Sequence, residues 1–273
     1  MTDEAPDGVR VTHIGRPTVL VEVSGWTILS DPTFDPPGRR YSFGLGTSST
    51  KLVGPAIEPA ALPPIDVVLL SHDHHADNLD DAGRALLPTA GTVVTTVPGA
   101  QRLGRAGDLA DLRGLRPSET TRLHRDGLAD LVVTATPCRH GPPLSRPIVG
   151  AVVGFLLDWD GAPVGPVWFS GDTVIYDALV SAVARLEIDV AFIHAGDVKF
   201  GLTGPIHYSL TADEAVRLVA AVRPRIAVPV HYEGWSHFRQ GRADVERAVA
   251  AASDDVRSRV QFIEIGEPTV LTR

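Results

Sequence analysis

Asp66-Val67-Val68-Leu69-Leu70-Ser71-His72-Asp73-His74-His75-Ala76-Asp77-Asn78 joins a short, unbroken apolar run to a cluster of histidines and carboxylates. Continuous hydrophobicity over so few residues predicts a strand buried on both faces. Ligands in α/β sheets usually bind at the carboxyl ends of strands, where this cluster lies. Three more apolar runs end alike. Leu131–Thr136 leads through Pro137, Cys138 and Arg139 to His140, Val167–Ser170 to Gly171-Asp172, and Ile226–Val230 to His231. Imidazole and carboxylate donors suit zinc best, as one or two ions, with manganese or iron as alternatives. Taken singly, His140 and His231 read as loop histidines, Asp172 as a turn residue and Asp77 as a helix cap. Their joint placement at four strand ends is better explained by a metal centre.

Outward from the cluster, Val9–Ile14, Thr18–Val23 and Trp26–Ser30 read as strands joined by glycine turns. Residues 31–64, rich in proline and glycine, read as a functional loop or lid. Asp77–Leu87 reads as a helix capped by Asp77 or Asn78. Thr92–Val97 is a predicted strand, and Pro98 is placed to open a helix. Further strands are predicted over 149–158, 189–193 and 260–265, and helices over 177–186 and 243–252. Thr211-Ala212-Asp213-Glu214 is a capping box opening a helix through Val222. Strands at both ends and alternation in the middle predict one α/β domain over residues 1–273, with helices packed outside sheets.

The chain of 273 residues is 44% hydrophobic but only 6% aromatic, so aliphatic packing should dominate its core. A formal charge of -8 disfavours nucleic acid and anionic membranes as partners. A lone cysteine, Cys138, excludes an intramolecular disulfide and cysteine-rich metal sites. The acidic start Met1–Asp7 lacks the pattern of a secretory leader, and no apolar run reaches the ~18 residues of a membrane span. A cytoplasmic protein acting on a small molecule is expected, and a homo-oligomer is compatible with the sequence.

The order and spacing of His72-x-His74, Asp77, His140, Ser170-Gly171-Asp172-Thr173 and His231 resemble the metallo-β-lactamase superfamily. Val11-Thr12-His13-Ile14-Gly15 and Ser30-Asp31-Pro32-Thr33-Phe34 look like its branch containing ascorbate-6-phosphate lactonase and N-acyl-phosphatidylethanolamine phospholipase D. The resemblance implies a four-layer αβ/βα sandwich with the site between two sheets. The family motif His-x-His-x-Asp-His is altered here. Anchoring on the strand end selects His72 and His74; anchoring on the helix start selects His75 and Asp77, with Asn78 replacing the last histidine.

That resemblance implies a first metal held by His72, His74 or His75, His140 and Asp172. A second would be held by Asp77, a bridging Asp172 and His231, with Asn78 at best a weak ligand. Zinc lowers the pKa of its bound water to about 7, which supplies hydroxide for attack on an ester, lactone or phosphodiester. Asp77 and His207 are the expected catalytic side chains, and Asp73 and Thr173 the supports that orient imidazoles. His13, His194 and His237 are candidates for the substrate side. Arg16 would bind an anionic group or face solvent, and Cys138 would be a small buried thiol. The rival readings are a metal-binding member without turnover and a nuclease.

Overall fold

The computed structural model describes residues 8–44, 46–159 and 165–272; Met1–Asp7 lie outside them. In chain order its strands are β1 (Gly8–Gly15), β2 (Thr18–Val23), β3 (Trp26–Ser30), β4 (Arg40–Gly44), β5 (Thr47–Thr50), β6 (Val67–Leu69), β7 (Thr92–Thr96), β8 (Leu112–Leu115), β9 (Thr120–Leu123), β10 (Leu131–Pro137), β11 (Val153–Trp159), β12 (Val167–Phe169), β13 (Val190–His194), β14 (Ile226–Val230) and β15 (Thr269–Thr272). The helices are α1 (Asp81–Leu86), α2 (Val97–Ala106), α3 (Arg146–Val149), α4 (Asp177–Val183), α5 (Ala212–Val222), α6 (Arg242–Ala251) and α7 (Asp254–Arg257). None is long and apolar enough to cross a membrane.

Two sheets, ordered β15-β1-β2-β3-β6-β7-β8 and β14-β13-β12-β11-β10-β9, face each other. Their alternating inward residues make the central core: Val9, Val11, Val19 and Val21 from one sheet, Leu131, Val133, Phe155 and Leu157 from the other. Each such side chain, once fully buried, contributes roughly 1.5–3 kcal/mol. A second apolar layer, with Leu179, Val183, Leu218 and Val245, packs α4, α5 and α6 on the outside of the β14 sheet. A third, with Leu70, Leu86, Leu87 and Leu103, covers the outside of the first sheet with α1 and α2. The order is helix, sheet, sheet, helix, as the motif resemblance implies.

Strand direction places the site. β12, β13 and β14 run parallel, and β10 shares their direction because both β10 and β12 pair antiparallel with β11. Their carboxyl ends therefore open on one edge of the sandwich. β6, parallel to β3 and β7, delivers His72 to that edge from the other sheet.

Four expectations change. The segment 31–64 contains the β4–β5 hairpin rather than irregular loop alone. The helix expected from Asp77 starts at Asp81, capped by Asp80, whose carboxylate accepts from Gly83 N. Residues 260–265 form only isolated bridges, because Val260 pairs with Ala227 of β14 and Ile265 with His13 of β1, so the segment crosses from one sheet to the other; the last strand is β15. Finally, β8 and β9 were not predicted: Leu-Arg-Gly-Leu and Thr-Thr-Arg-Leu carry too few apolar residues to show a period.

Candidate metal centre

Ser71 and His72 follow β6, and the chain then turns instead of continuing extended, with Asn78 N and Leu79 N both donating to the His75 carbonyl. That turn aims His75 rather than His74 at His72. His72 Nε2 lies 3.1 Å from His75 Nδ1, and His140 Nε2 lies 3.2 Å from the same atom. Two nitrogens on one tetrahedral zinc at 2.0–2.1 Å would be about 3.3 Å apart. The opposite ring nitrogens are engaged: His72 Nδ1 by Ser71 Oγ at 3.0 Å, and His140 Nδ1, which donates to the Tyr208 carbonyl at 2.6 Å. Such outer contacts fix the tautomer and leave the inner lone pair free. Burial, reinforced by neighbouring histidines, holds the His72 and His75 imidazoles well below their ordinary pKa, and burial lowers His140 as well. Three buried, neutral imidazoles facing one point lack the protons to satisfy one another, and a cation resolves this.

His74 leaves this trio. Its Nε2 meets the Val149 carbonyl, while its ring packs beside His72 and His75.

Asp172, His194 and His231 form a second buried group. Asp172 Oδ1 lies 2.9 Å from His194 Nδ1 and 3.5 Å from His231 Nδ1. Asp77 completes it, with Oδ2 at 3.0 Å from His237 Nε2 and 3.8 Å from His231 Nε2. Backbone geometry serves these placements. Gly171 has φ +64°, and a Cβ there would lie 2.7 Å from the Val153 carbonyl oxygen, so only glycine carries the chain into Asp172. His231 itself has φ 58°, a conformation costly for a non-glycine residue and common at functional sites. Its backbone N–H donates to the Arg16 carbonyl at 2.9 Å.

The charges of this group balance in a telling way. Burial alone would raise both carboxyls; His231 and His237 hold Asp77 well below the carboxylate range, and His231 and His194 do the same for Asp172. His231, despite burial, is pushed up to about 9 by Asp172 and Asp77. A proton there occupies the charge balance that a cation would supply. Asp77 Oδ1, Asp172 Oδ2, His194 Nε2 and His231 Nε2 are all buried without a hydrogen-bond partner. Unpartnered donors and acceptors of this kind are expensive unless a metal takes them up, so the residues fit one or two ions.

Other expected residues are engaged elsewhere. His207 faces Asp197 and Glu214, at 3.5 and 3.6 Å. Asp73 is held by Arg102 rather than by a site imidazole. Thr173 Oγ1 accepts from Arg139 N and so fixes the approach to His140. Arg16 neither faces solvent nor awaits an anion. It is wholly buried, its guanidinium donating to the Val53 and Gly54 carbonyls and to Thr33. His13 Nε2 contacts the Arg16 carbonyl. Cys138, expected to be buried, is half-buried, and its thiol donates to the Ser170 carbonyl.

Asn78 reaches the site through Ser71, and its Oδ1 is buried without a partner. Its Nδ2 donates to Ser71 Oγ at 3.3 Å, and Ser71 Oγ meets His72 Nδ1. Replacing such a support typically lowers metal affinity ~10–100-fold. Asn78→Ala should fall in that range in a competition titration against a chromogenic chelator, and unchanged affinity would remove Asn78 from the chain of support.

Asp31, behind the site, lies in the Ser30–Phe34 segment that carries the branch resemblance, which assigns it no role. Its Oδ1 accepts from Ser71 N at 2.7 Å. Burial, then the charge of Asp172, raises its carboxyl to about 8. A raised folded-state pKa means folding takes up a proton. The associated stability is full below the unfolded value of about 4 and is lost as pH climbs to about 8. Asp31→Asn keeps an acceptor for Ser71 N and removes the titration. In chelator, its Tm should decline less than that of the wild type between about pH 5 and 8. Parallel Tm-against-pH curves would show that Asp31 is already ionised.

Comparison with known proteins identifies the family. A family model described as a beta-lactamase superfamily domain matches residues 27–232. The UPF0173 metal-dependent hydrolase of Pyrobaculum neutrophilum is 27% identical over 266 residues, covering 95% of this chain and 98% of the relative. Among solved structures, a possible metal-dependent hydrolase from Veillonella parvula has TM-score 0.80 at 20% identity, covering 97% of this chain and 100% of the other. The isothiocyanate hydrolase from Delia radicum gut bacteria has TM-score 0.79 at 17% identity, with the same coverage. With the match running from β3 past His231, and so enclosing both ligand groups, this chain belongs to the β-lactamase superfamily.

Proposed function

We propose that the chain is a metal-dependent hydrolase of small-molecule esters, lactones or phosphodiesters, with zinc as its preferred ion. The observation that carries this reading is the pairing of three neutral, convergent imidazoles with two ionised carboxylates whose outer oxygens lack partners. His72, His75, His140 and Asp172 would hold one ion; Asp77, Asp172, His194 and His231 are the donors for another. Such an ion lowers the pKa of its water to about 7 and polarises the bond under attack.

The chain's own groups do the rest. With only the first ion bound, Asp77 Oδ1 is free to accept a proton while His237 Nε2 steadies Oδ2 at 3.0 Å. His237 Nδ1 in turn contacts Ser49 Oγ on β5, so the hairpin over the site and the carboxylate beneath it share one support. Phe43 and Phe200 pack on the His237 ring and keep water from this contact.

The test is metal analysis with a panel of esters, lactones and phosphodiesters. Turnover that disappears with a chelator and returns with zinc is the expected result. Bound metal without turnover on any member would leave a binding protein. Protein that neither carries zinc, manganese or iron nor gains thermal stability from them would sink the metal centre.

A further inference from the structure

A cavity of about 220 Å³ opens on the candidate metal centre, with His75, Asp77 and His140 in its floor. Its walls come from Val149 at the end of α3 and from two further segments. The β4–β5 hairpin contributes Phe43 and Thr47, and the stretch after β13 contributes Val198, Phe200, Leu202 and Tyr208. Phe43 is the hinge of this arrangement. Its ring centroid lies 5.4 Å from His75, 5.3 Å from Phe200 and 4.9 Å from His237. Tyr208 closes the far side, 5.9 Å from Phe200 and 5.8 Å from His140.

Among the described residues, no lysine or arginine lines this cavity. The cations of the hairpin and of the stretch after β13 are already engaged, while Arg139 and Arg146 line an adjoining cavity that shares His140 and Val149. Lys199 pairs with Asp197 at 2.8 Å, and Lys51 is buried on Asp80 at 2.6 Å. Arg39 pairs with Asp81, and Arg40, on the face of β4 opposite Phe43, donates to Ser48. With a single dication bound, Asp77 and Asp172 balance its charge between them, so little positive charge is left for a second anionic group. A carboxylate or phosphate tail placed among Phe43, Phe200 and Tyr208 would lose its hydration with no partner in return. An uncharged apolar group would instead replace water on aromatic faces, at about 25 cal/mol per Å² buried.

From this we infer that the substrate is an uncharged ester or lactone carrying a compact apolar group, seated between Phe43, Phe200 and Tyr208, and not a phosphodiester or another anion. The inference rests on the hydrolase reading above and narrows it. In the reaction, water adds its oxygen to the acyl carbon, the acyl–oxygen bond breaks, and the two protons of water end on the carboxyl and alcohol products, with no redox change.

Zinc-loaded protein should be assayed on p-nitrophenyl butyrate, its anionic counterpart mono-(p-nitrophenyl) succinate, and bis-(p-nitrophenyl) phosphate. The butyrate should be favoured in kcat/KM by about tenfold or more over either anion. Phe43→Ala should raise KM for the butyrate several-fold with a smaller change in kcat. Equal or better turnover of either anion would overturn the inference while leaving the hydrolase reading intact. Should no ester turn over, binding decides separately. Tighter binding of benzohydroxamate than of 4-carboxybenzohydroxamate, with the difference erased by Phe43→Ala, would uphold the ligand class although the hydrolase reading had failed. Equal binding of the two hydroxamates would overturn the class as well.

Discussion

Asp172→Ala should strip the protein of metal and lower turnover by roughly three orders of magnitude or more, because the ligands of such a centre act as a unit. Asp172 is wholly buried, and its Oδ1 faces both His194 and His231 while Oδ2 has no partner. Both proposed ligand sets share it. Alanine removes the one carboxylate common to them and leaves the His231 proton, held at about 9 mainly by Asp172, with Asp77 alone.

The informative control is Asp172→Asn. It keeps the shape and one acceptor for His194 but removes the charge, so metal content should fall although the fold is retained. Elemental analysis after dialysis, with far-UV circular dichroism as the check on folding, reads both variants. Alanine protein with its full complement of metal would take Asp172 out of the centre and with it the two-set arrangement.

The sequence made the strand ends legible because each of them is an unbroken apolar run ending in a donor residue: β6 before His72, β10 before His140, β12 before Asp172, β14 before His231. β13 shows the same signal, a fully buried Val-Ala-Phe-Ile run ending in His194, yet the family motif directed attention away from it. Period-two spacing pointed to His72 and His74 on one side of an extended segment. The turn closed on the His75 carbonyl breaks that premise, and only the folded backbone shows that His75 faces His72. Asp77 and Asp80 are likewise indistinguishable as helix caps in sequence. Their partners decide: Asp77 is claimed by His237, and Asp80 by Gly83 N. The hairpin is hard to read because β4 alternates over only four residues, Arg40 to Phe43, and β5, Thr-Ser-Ser-Thr, has no apolar residue to show a period.

The same Asp80 holds the hairpin in place, and Asp80→Ala should be the most destabilising single change described here. Its four contacts come from three pieces of chain. Oδ1 accepts from Phe34 N and Gly83 N, both at 2.9 Å; Oδ2 accepts from Asp35 N at 2.8 Å and from Lys51 Nζ at 2.6 Å. Lys51 directly follows β5 and is wholly buried; burial lowers its pKa although Asp80 opposes the shift. Alanine would strand this ammonium and three backbone N–H groups at once. Breaking one side of a buried pair costs about 3–5 kcal/mol, which for a chain of this size is roughly 10 °C in Tm. Lys51→Met is expected to be milder, since the Asp80 carboxylate keeps its three backbone donors and methionine fills the volume of the lysine stem. The double variant decides the cause. If the stranded ammonium dominates, adding Lys51→Met to Asp80→Ala restores part of the lost stability, and the coupling between the two changes is large. Additive losses would mean instead that the lost cap and the Phe34 and Asp35 contacts carry the effect. In either case the hairpin bearing Phe43 loses an anchor, so KM for an apolar ester should rise in Asp80→Ala protein even at temperatures where it remains folded.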